Sequence, residues 1–183
     1  RDIRDELEST MRAHGADGPS YETIVASGPE NAAMAHHRPT SRALVEGDTV
    51  VIDVGALLGG YHSDMTRTFI VGEPSPEQER WYRVLARAQQ AGLEAVRAGV
   101  GTRDVDAACR AVLAEEGLAD LFSHGTGHGV GLDIHEEPFL GRSTESVLAA
   151  GDVVTVEPGL YRVGAGGMRI EDLVLVTESG HRS

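Results

Sequence analysis

The sequence predicts an α/β (α+β) domain of two pseudo-symmetric halves, with a curved antiparallel sheet and helices on its outer face. Three observations predict it. First, Gly47-Asp48-Thr49-Val50-Val51-Ile52-Asp53-Val54-Gly55 recurs in pattern as Gly151-Asp152-Val153-Val154-Thr155-Val156-Glu157-Pro158-Gly159, with an acid six residues after the leading glycine in both. Second, each copy leads into a glycine-bearing turn and another apolar run with its own acid, Asp64 in the first and Glu171 in the second. Third, the patterns run helix, strands, helix, helix, strands, so two hairpin sheets each need a face covered by helices.

The elements follow in order. Ile3, Leu7 and Met11 recur at spacing four and Gly15 is the stop, which predicts an opening helix. The chain therefore opens inside a helix, as a piece of a longer protein would. In the first hairpin, setting Asp53 opposite Asp64 places the turn at Leu58-Gly59; in the second, setting Glu157 opposite Glu171 centres the loop on Gly164. Ser75-Pro76-Glu77-Gln78 reads as N-cap, first-turn proline and capping-box glutamine, opening a helix through Trp81, Leu85, Ala88 and Leu93 toward Gly99. Thr102 is the expected cap of the next helix, whose apolar face is Val105, Ala108, Cys109, Val112 and Leu113, ending near Gly117. Cys109 is thus a core thiol with no catalytic role.

From His124 to Glu136 the chain concentrates histidine and glycine. His124 and His128 have helical spacing, but four alternating glycines would cost a helix roughly 1 kcal/mol each, so an extended strand is expected. In a strand His124, Thr126 and His128 share one face, and the glycines allow another backbone or a substrate to approach closely. His14, His37 and His181 read as ordinary side chains. His62 falls opposite Gly55, one pair away from the acids.

Directly opposed residues of an antiparallel pair lie about 4.5 to 5.5 Å apart, so each hairpin aims two carboxylates at one point. A single strand acid is usually solvated. Four at corresponding places in two matching hairpins are different, because facing carboxylates among valines and isoleucines repel and resist desolvation. They call for a divalent cation.

Composition narrows the function classes. At 183 residues and 40% hydrophobic the chain has material for one substantial core, and 4% aromatic content leaves Val, Leu, Ile and Ala to fill it. A net charge of -13 argues against nucleic acid, which needs a basic face. No apolar run is long enough to span a membrane, and the single Cys109 fits a reducing compartment, so a cytoplasmic location is expected.

Together these residues resemble the pita-bread metallopeptidase family of methionyl aminopeptidases, aminopeptidase P and Xaa-Pro dipeptidase (prolidase), from Ile24-Val25-Ala26-Ser27-Gly28 through Val174-Leu175-Val176-Thr177. The resemblance implies a metallopeptidase catalytic domain over residues 1–183, with an additional N-terminal domain outside this chain. It implies five metal ligands, Asp53, Asp64, His128, Glu157 and Glu171, holding two divalent ions. Four carboxylates and one imidazole are hard donors that suit Mn²⁺ and admit Co²⁺, Zn²⁺ or Fe²⁺. Ser63-Asp64-Met65-Thr66-Arg67-Thr68, the segment His124 to Glu136, and Met168-Arg169-Ile170-Glu171-Asp172 are similar to the Xaa-Pro branch, and methionyl aminopeptidases typically lack the arginine at Arg169. Ala33-Met34-Ala35-His36-His37-Arg38-Pro39 looks like that branch's substrate-histidine segment, although a proline is commoner where Ala35 stands. His36 and His37 both lie there, and alignment with the family selects His36.

What the resemblance implies about activity is hydrolysis of the bond before proline in small peptides with proline second, by water held and acidified between the two ions. Glu157 would shuttle the proton, His124 and His135 would stabilise the oxyanion or bind substrate, His36 would approach the scissile-bond or leaving-proline side, and Arg169 would orient carboxylates. Thr66, on the face of Asp64, would hydrogen-bond a ligand. A homodimer is compatible with the family; nucleic-acid and membrane partners are not expected. The alternatives are a methionyl aminopeptidase, a metal-free hydrolase of the creatinase kind, and, from another class, a non-catalytic binding module on the same fold.

Overall fold

The computed structural model describes residues 1–183. Helix α1 (Asp2–Ala13) is followed by strands β1 (Gly18–Pro19) and β2 (Ile24–Ser27) and the single turn α2 (Gly28–Asn31). Strands β3 (Thr49–Val54), β4 (Ala56–Leu58), β5 (Tyr61–His62) and β6 (Met65–Ile70) build the first hairpin. Helices α3 (Pro76–Ala95) and α4 (Thr102–Glu115) come next, then β7 (Gly127–Gly129) and β8 (Glu136–Leu140). The second hairpin comprises β9 (Val153–Val156), β10 (Gly159–Arg162), β11 (Gly166–Arg169) and β12 (Asp172–Val176), with β13 (His181–Arg182) at its edge.

The duplication seen in the sequence is a duplication of hydrogen bonds. The Asp48 carboxylate accepts from the Val45 amide at 2.9 Å and that of Asp152 from the Ala149 amide at 2.8 Å. Gly47 donates to the Val71 carbonyl and Gly151 to that of Val176, while the amides of Val71 and Val176 return to Asp48 and Asp152. Gly47 and Gly151 both have positive φ, 86° and 103°, a conformation that favours glycine. The Gly-Asp pair is therefore a strand-entry device used twice.

Each hairpin is one long antiparallel ladder interrupted once. In the second, Gly159 pairs with Arg169 and Val156 with Asp172, so a single register runs through both parts and sets Glu157 against Glu171 across the break, as expected. The loop is centred on Gly164. The first hairpin differs from expectation by one step. Asp53 faces Thr66 rather than Asp64, and His62 faces Leu57 rather than Gly55. The reason is the turn, which is Gly59-Gly60 with both φ positive (59° and 86°), the two-residue geometry that matches strand twist. A shift of two in the partner preserves the face, so Asp64 stays on the side of Asp53.

The curved sheet is assembled from four antiparallel ladders, in strand order β2-β3-β6, β1-β4-β5, β13-β12-β9-β7-β8 and β10-β11. Thr68 links the halves, its hydroxyl donating to the Arg169 carbonyl and accepting from the Arg169 amide. Helices α3 and α4 cover the second half in a 20-residue apolar core that joins Trp81, Leu85, Cys109 and Leu113 to Val154, Val156, Met168 and Val174. Gly92 permits this contact, since a Cβ there would lie 2.5 Å from the Cys109 sulfur. Ser75 and Gln78 form the expected reciprocal cap, and losing such a cap costs about 1 kcal/mol. Thr102 is not the cap of α4. Gly101 takes that position, and the Thr102 hydroxyl is drawn instead to Thr144 Oγ1 at 2.8 Å and the Ser146 carbonyl.

Candidate metal centre

The four acids stand at or beside the hairpin breaks. Asp53 is the penultimate residue of β3, Asp64 lies between β5 and β6, Glu157 between β9 and β10, and Glu171 between β11 and β12. At a break the side chain is released from strict alternation, so acids from two hairpins converge on one cavity of about 300 Å³ together with His128 of β7. Asp64, His128 and Glu171 offer ligand atoms that all lie within 4.8 Å of one another. Glu157 Oε1 stands 3.3 Å and Asp64 Oδ2 3.6 Å from His128 Nε2.

The His128 ring orientation is informative. Its Nδ1 is 3.0 Å from the Gly129 carbonyl, which can only accept, so Nδ1 carries the hydrogen and a neutral ring turns the Nε2 lone pair toward two carboxylates. That arrangement repels unless a proton or a cation intervenes. Burial disfavours the imidazolium of His128, but the hydrogen bond to Glu157 and the charges of Glu157 and Asp64 outweigh it and raise its pKa. Burial, then the charge of Asp53, push Asp64 up to about 7. Burial and the charges of Glu157, Asp64 and Asp53 hold Glu171 well above the usual carboxylate range. Glu157 goes the other way: burial is outweighed by His128, His124 and Arg169, which lower it.

The residues fit divalent cations. Glu171 Oε1 is buried without a hydrogen-bond partner, while its Oε2 accepts from the Thr66 hydroxyl at 2.6 Å, the contact expected of Thr66. Four carboxylates share one buried arginine and one imidazole, leaving negative charge that a hard cation would neutralise.

Arg169 is 2% exposed. Its Nη2 donates to Asp53 Oδ2 at 2.5 Å, Nη1 to the Tyr161 hydroxyl and the Ala35 carbonyl at 2.8 and 2.9 Å, and Nε to Thr66 Oγ1 at 3.1 Å. It thus contacts one of the acids, Asp53, and also holds the backbone beside His36.

A second cavity of about 340 Å³ adjoins the first, and His36, His128, His135 and Glu157 line both. His37 lines only the first. The His135 ring stands edge-on to that of His128 at 4.3 Å, and burial and His128 lower its pKa. His124 lines the second cavity, but not as a strand neighbour of His128. Strand β7 starts only at Gly127 and carries a register irregularity, which ends the alternation before His124. His124 Nδ1 donates to the Gly125 carbonyl, and Nε2 then accepts from the Tyr161 hydroxyl at 2.9 Å. The glycines act as expected: a Cβ on Gly127 would come within 2.0 Å of the Thr155 carbonyl oxygen, and one on Gly129 within 2.5 Å of that of Glu137. His62 lies outside both cavities and pairs with Ser20.

Two tyrosines escaped the sequence reading. The Tyr21 hydroxyl donates to both Asp53 and Asp64, and Tyr161 joins Arg169 to His124. Nothing in composition or spacing marks them. Only the pairing of Ile24 with Asp53, which brings the start of β2 beside the acids, could have pointed to Tyr21.

A pita-bread domain with carboxylates and histidine gathered in one cavity between its halves belongs to the metallopeptidase class. The family model of metallopeptidase family M24 matches residues 1–178, and the chain belongs to that family. It is 47% identical over 180 residues to the probable dipeptidase PepE of Mycobacterium tuberculosis, covering 98% of this chain and 48% of that protein. The prolidase from Pyrococcus furiosus superimposes with a TM-score of 0.97 at 42% identity, over 100% of this chain and 54% of that one. The X-Pro aminopeptidase from Thermotoga maritima does so with a TM-score of 0.96 at 39% identity, over 99% and 51%. The chain spans about half the length of the curated relatives it matches. No helix is long and apolar enough to cross a membrane.

Proposed function

We propose that this chain is the metal-binding domain of a peptidase that hydrolyses the bond before proline. The observation that carries the reading is the meeting of two cavities at Glu157 and His128, one lined by all four acids and the other by His124, Phe139 and Arg169. A peptide laid across that meeting point has its scissile bond beside Glu157. Relatives bearing the names prolidase and X-Pro aminopeptidase support the substrate class.

Asp53, Asp64, His128, Glu157 and Glu171 would hold two divalent ions, Mn²⁺ being the best match to hard oxygen donors, with Co²⁺, Zn²⁺ or Fe²⁺ admitted. Bound ions supply Lewis acidity toward the scissile carbonyl and acidify water. Glu157, its pKa lowered against the effect of burial by His128 and Arg169, takes a proton from water and returns it to the leaving nitrogen. His135 faces the reacting carbonyl and donates to the developing oxyanion. His124, with both ring nitrogens engaged, acts through its ring as a wall for the proline side. His36, which lines both cavities, contacts the substrate at the scissile-bond or proline side. Proline has no amide hydrogen, and water attack on the carbonyl needs none.

The test is kcat/KM for Ala-Pro against Met-Ala on the intact protein, chelated and then reloaded with Mn²⁺. Preference for Ala-Pro is expected. Preference for Met-Ala would move the protein to the methionyl aminopeptidase branch, and no hydrolysis of either would favour a binding module.

A further inference from the structure

His36 sits on the stretch Ala32 to Glu46, which has no helix or strand after Asn31 until Thr49. No backbone-to-backbone hydrogen bond involves residues 35–44. The stretch is held at two points by ion-pairing side chains, the buried Arg169 and the partly exposed Arg42 on the buried Asp48. Near His36, Arg169 donates to the Ala35 carbonyl at 2.9 Å. Farther on, the Arg42 guanidinium forks onto Asp48, Nη1 to Oδ2 at 2.5 Å and Nη2 to Oδ1 at 2.9 Å. The exposed contacts of Arg38 with Glu22 and of the Arg1 amine with the Thr40 carbonyl add little.

The internal duplication supplies a control within the molecule. Asp48 and Asp152 occupy the same place in the two copies, and each caps the amide three residues before it. Asp152 has no arginine partner; Asp48, 4% exposed, has one that is bidentate. The fork is therefore not needed to make the turn, and it occurs only in the half that carries the His36 stretch. Room is kept for it: Gly28 has φ of 82°, and a Cβ there would lie 2.7 Å from the Arg42 guanidinium carbon.

The geometry points to Arg42 as a positioning residue for His36, fixing through Asp48 the far end of the strap whose near end Arg169 holds. A strap with no backbone-to-backbone hydrogen bonds over residues 35–44, and only local side-chain contacts such as that of the Arg42 amide with Thr40 Oγ1, takes its shape chiefly from its anchors, and a displacement of 1 Å at a reacting group costs on the order of 10²-fold in rate. The kinetic part of the test rests on the Xaa-Pro reading; the structural part does not.

In the intact protein, Arg42→Met should lower kcat/KM for Ala-Pro by about tenfold to a hundredfold. In a His36→Ala background the same change should cost less than about twofold, because an anchor has nothing left to position. Arg42→Lys, which keeps the charge but not the fork, should recover part of the loss. Asp152→Ala, which breaks the same cap in the other copy, should leave the rate within about twofold while lowering stability. Hydrogen exchange of residues 35–44 should quicken in Arg42→Met and not in Asp152→Ala. Equal losses with and without His36, or strap exchange unchanged in Arg42→Met, would overturn the inference, the second even in a protein that cleaves no Xaa-Pro substrate.

Discussion

Replacing Arg169 with methionine tests how the negative charge of the site is held. Arg169 is buried among four partners: Asp53, Tyr161, Thr66 and the Ala35 carbonyl. Methionine fills much of the volume, so the cost is electrostatic rather than a cavity. It leaves Asp53 with its Tyr21 contact but without its cation, and breaking a buried ion pair by removing one partner costs about 3 to 5 kcal/mol. For a chain of this size each kcal/mol moves Tm by about 2 to 4 °C, so a fall of about 6 to 20 °C is expected in chelator. Arg169→Lys should lie between, since one ammonium cannot reach four acceptors that the guanidinium meets in a fixed fork.

The assay is thermal and urea unfolding followed by circular dichroism, with and without added Mn²⁺. The variant's site is more negative than the wild type's, so Mn²⁺ should recover a larger share of its Tm. A loss under about 1 kcal/mol in chelator would refute the reasoning, because it would mean the Asp53 charge is balanced without Arg169.

Three further outcomes are expected. Asp64→Asn removes a carboxylate from the tight Asp64, His128 and Glu171 group and should weaken Mn²⁺ binding by titration calorimetry at least about a hundredfold while the fold persists; unchanged stoichiometry with full turnover would contradict the ligand assignment. Glu157→Gln should depress kcat about 10²- to 10⁴-fold with little change in KM, and a change in KM alone would remove Glu157 from the proton path. Burial pushes the Cys109 thiol up to about 12, so it should resist thiol reagents in the native protein. Its folded pKa lies above the unfolded value, so its stabilising contribution is present below about pH 8.5 and is lost as pH rises toward 12, measurable as a falling urea midpoint.

The sequence exposed whatever repeats or has a local rule. The matching Gly-Asp entries, the Ser75-Gln78 cap, the Gly164-centred loop and the apolar face carrying Cys109 each follow from a pattern of a few residues, and the structure has them all. Tertiary detail was hidden for physical reasons. The first hairpin could turn at Leu58-Gly59 or Gly59-Gly60, and only the strand twist that selects two positive φ angles decides between them. The alternation from His124 to His128 was plausible on local grounds, but Gly127 must pass within touching distance of Thr155, and the irregular ladder that results places His124 against Tyr161. Tyr21, Tyr161 and Arg42 act across distances in sequence of 32, 37 and 6 residues to their partners, with no periodicity to betray them.

The hairpin breaks explain how one sheet can hold four acids at all. Within an unbroken ladder a buried acid is fixed by the pleat, and two facing acids would be held at strand-pair distance whatever their charge. At Glu157-Pro158 the proline cannot donate to the ladder, and the Glu157 amide turns instead to the Thr126 carbonyl at 2.7 Å. At Gly55 any side chain would strike the Ser63 carbonyl, so the two chains close there and Asp64 leaves the pairing. Glu171, opposite Glu157, sends its amide across to the Thr66 carbonyl of the first hairpin at 3.2 Å. Each break thus exchanges a bond within a hairpin for freedom of an acid or for a bond between hairpins. The acids meet because the ladders stop where they do, and the sequence marks those stops with Gly55 at the end of the first copy and Pro158, one place before the matching Gly159, in the second.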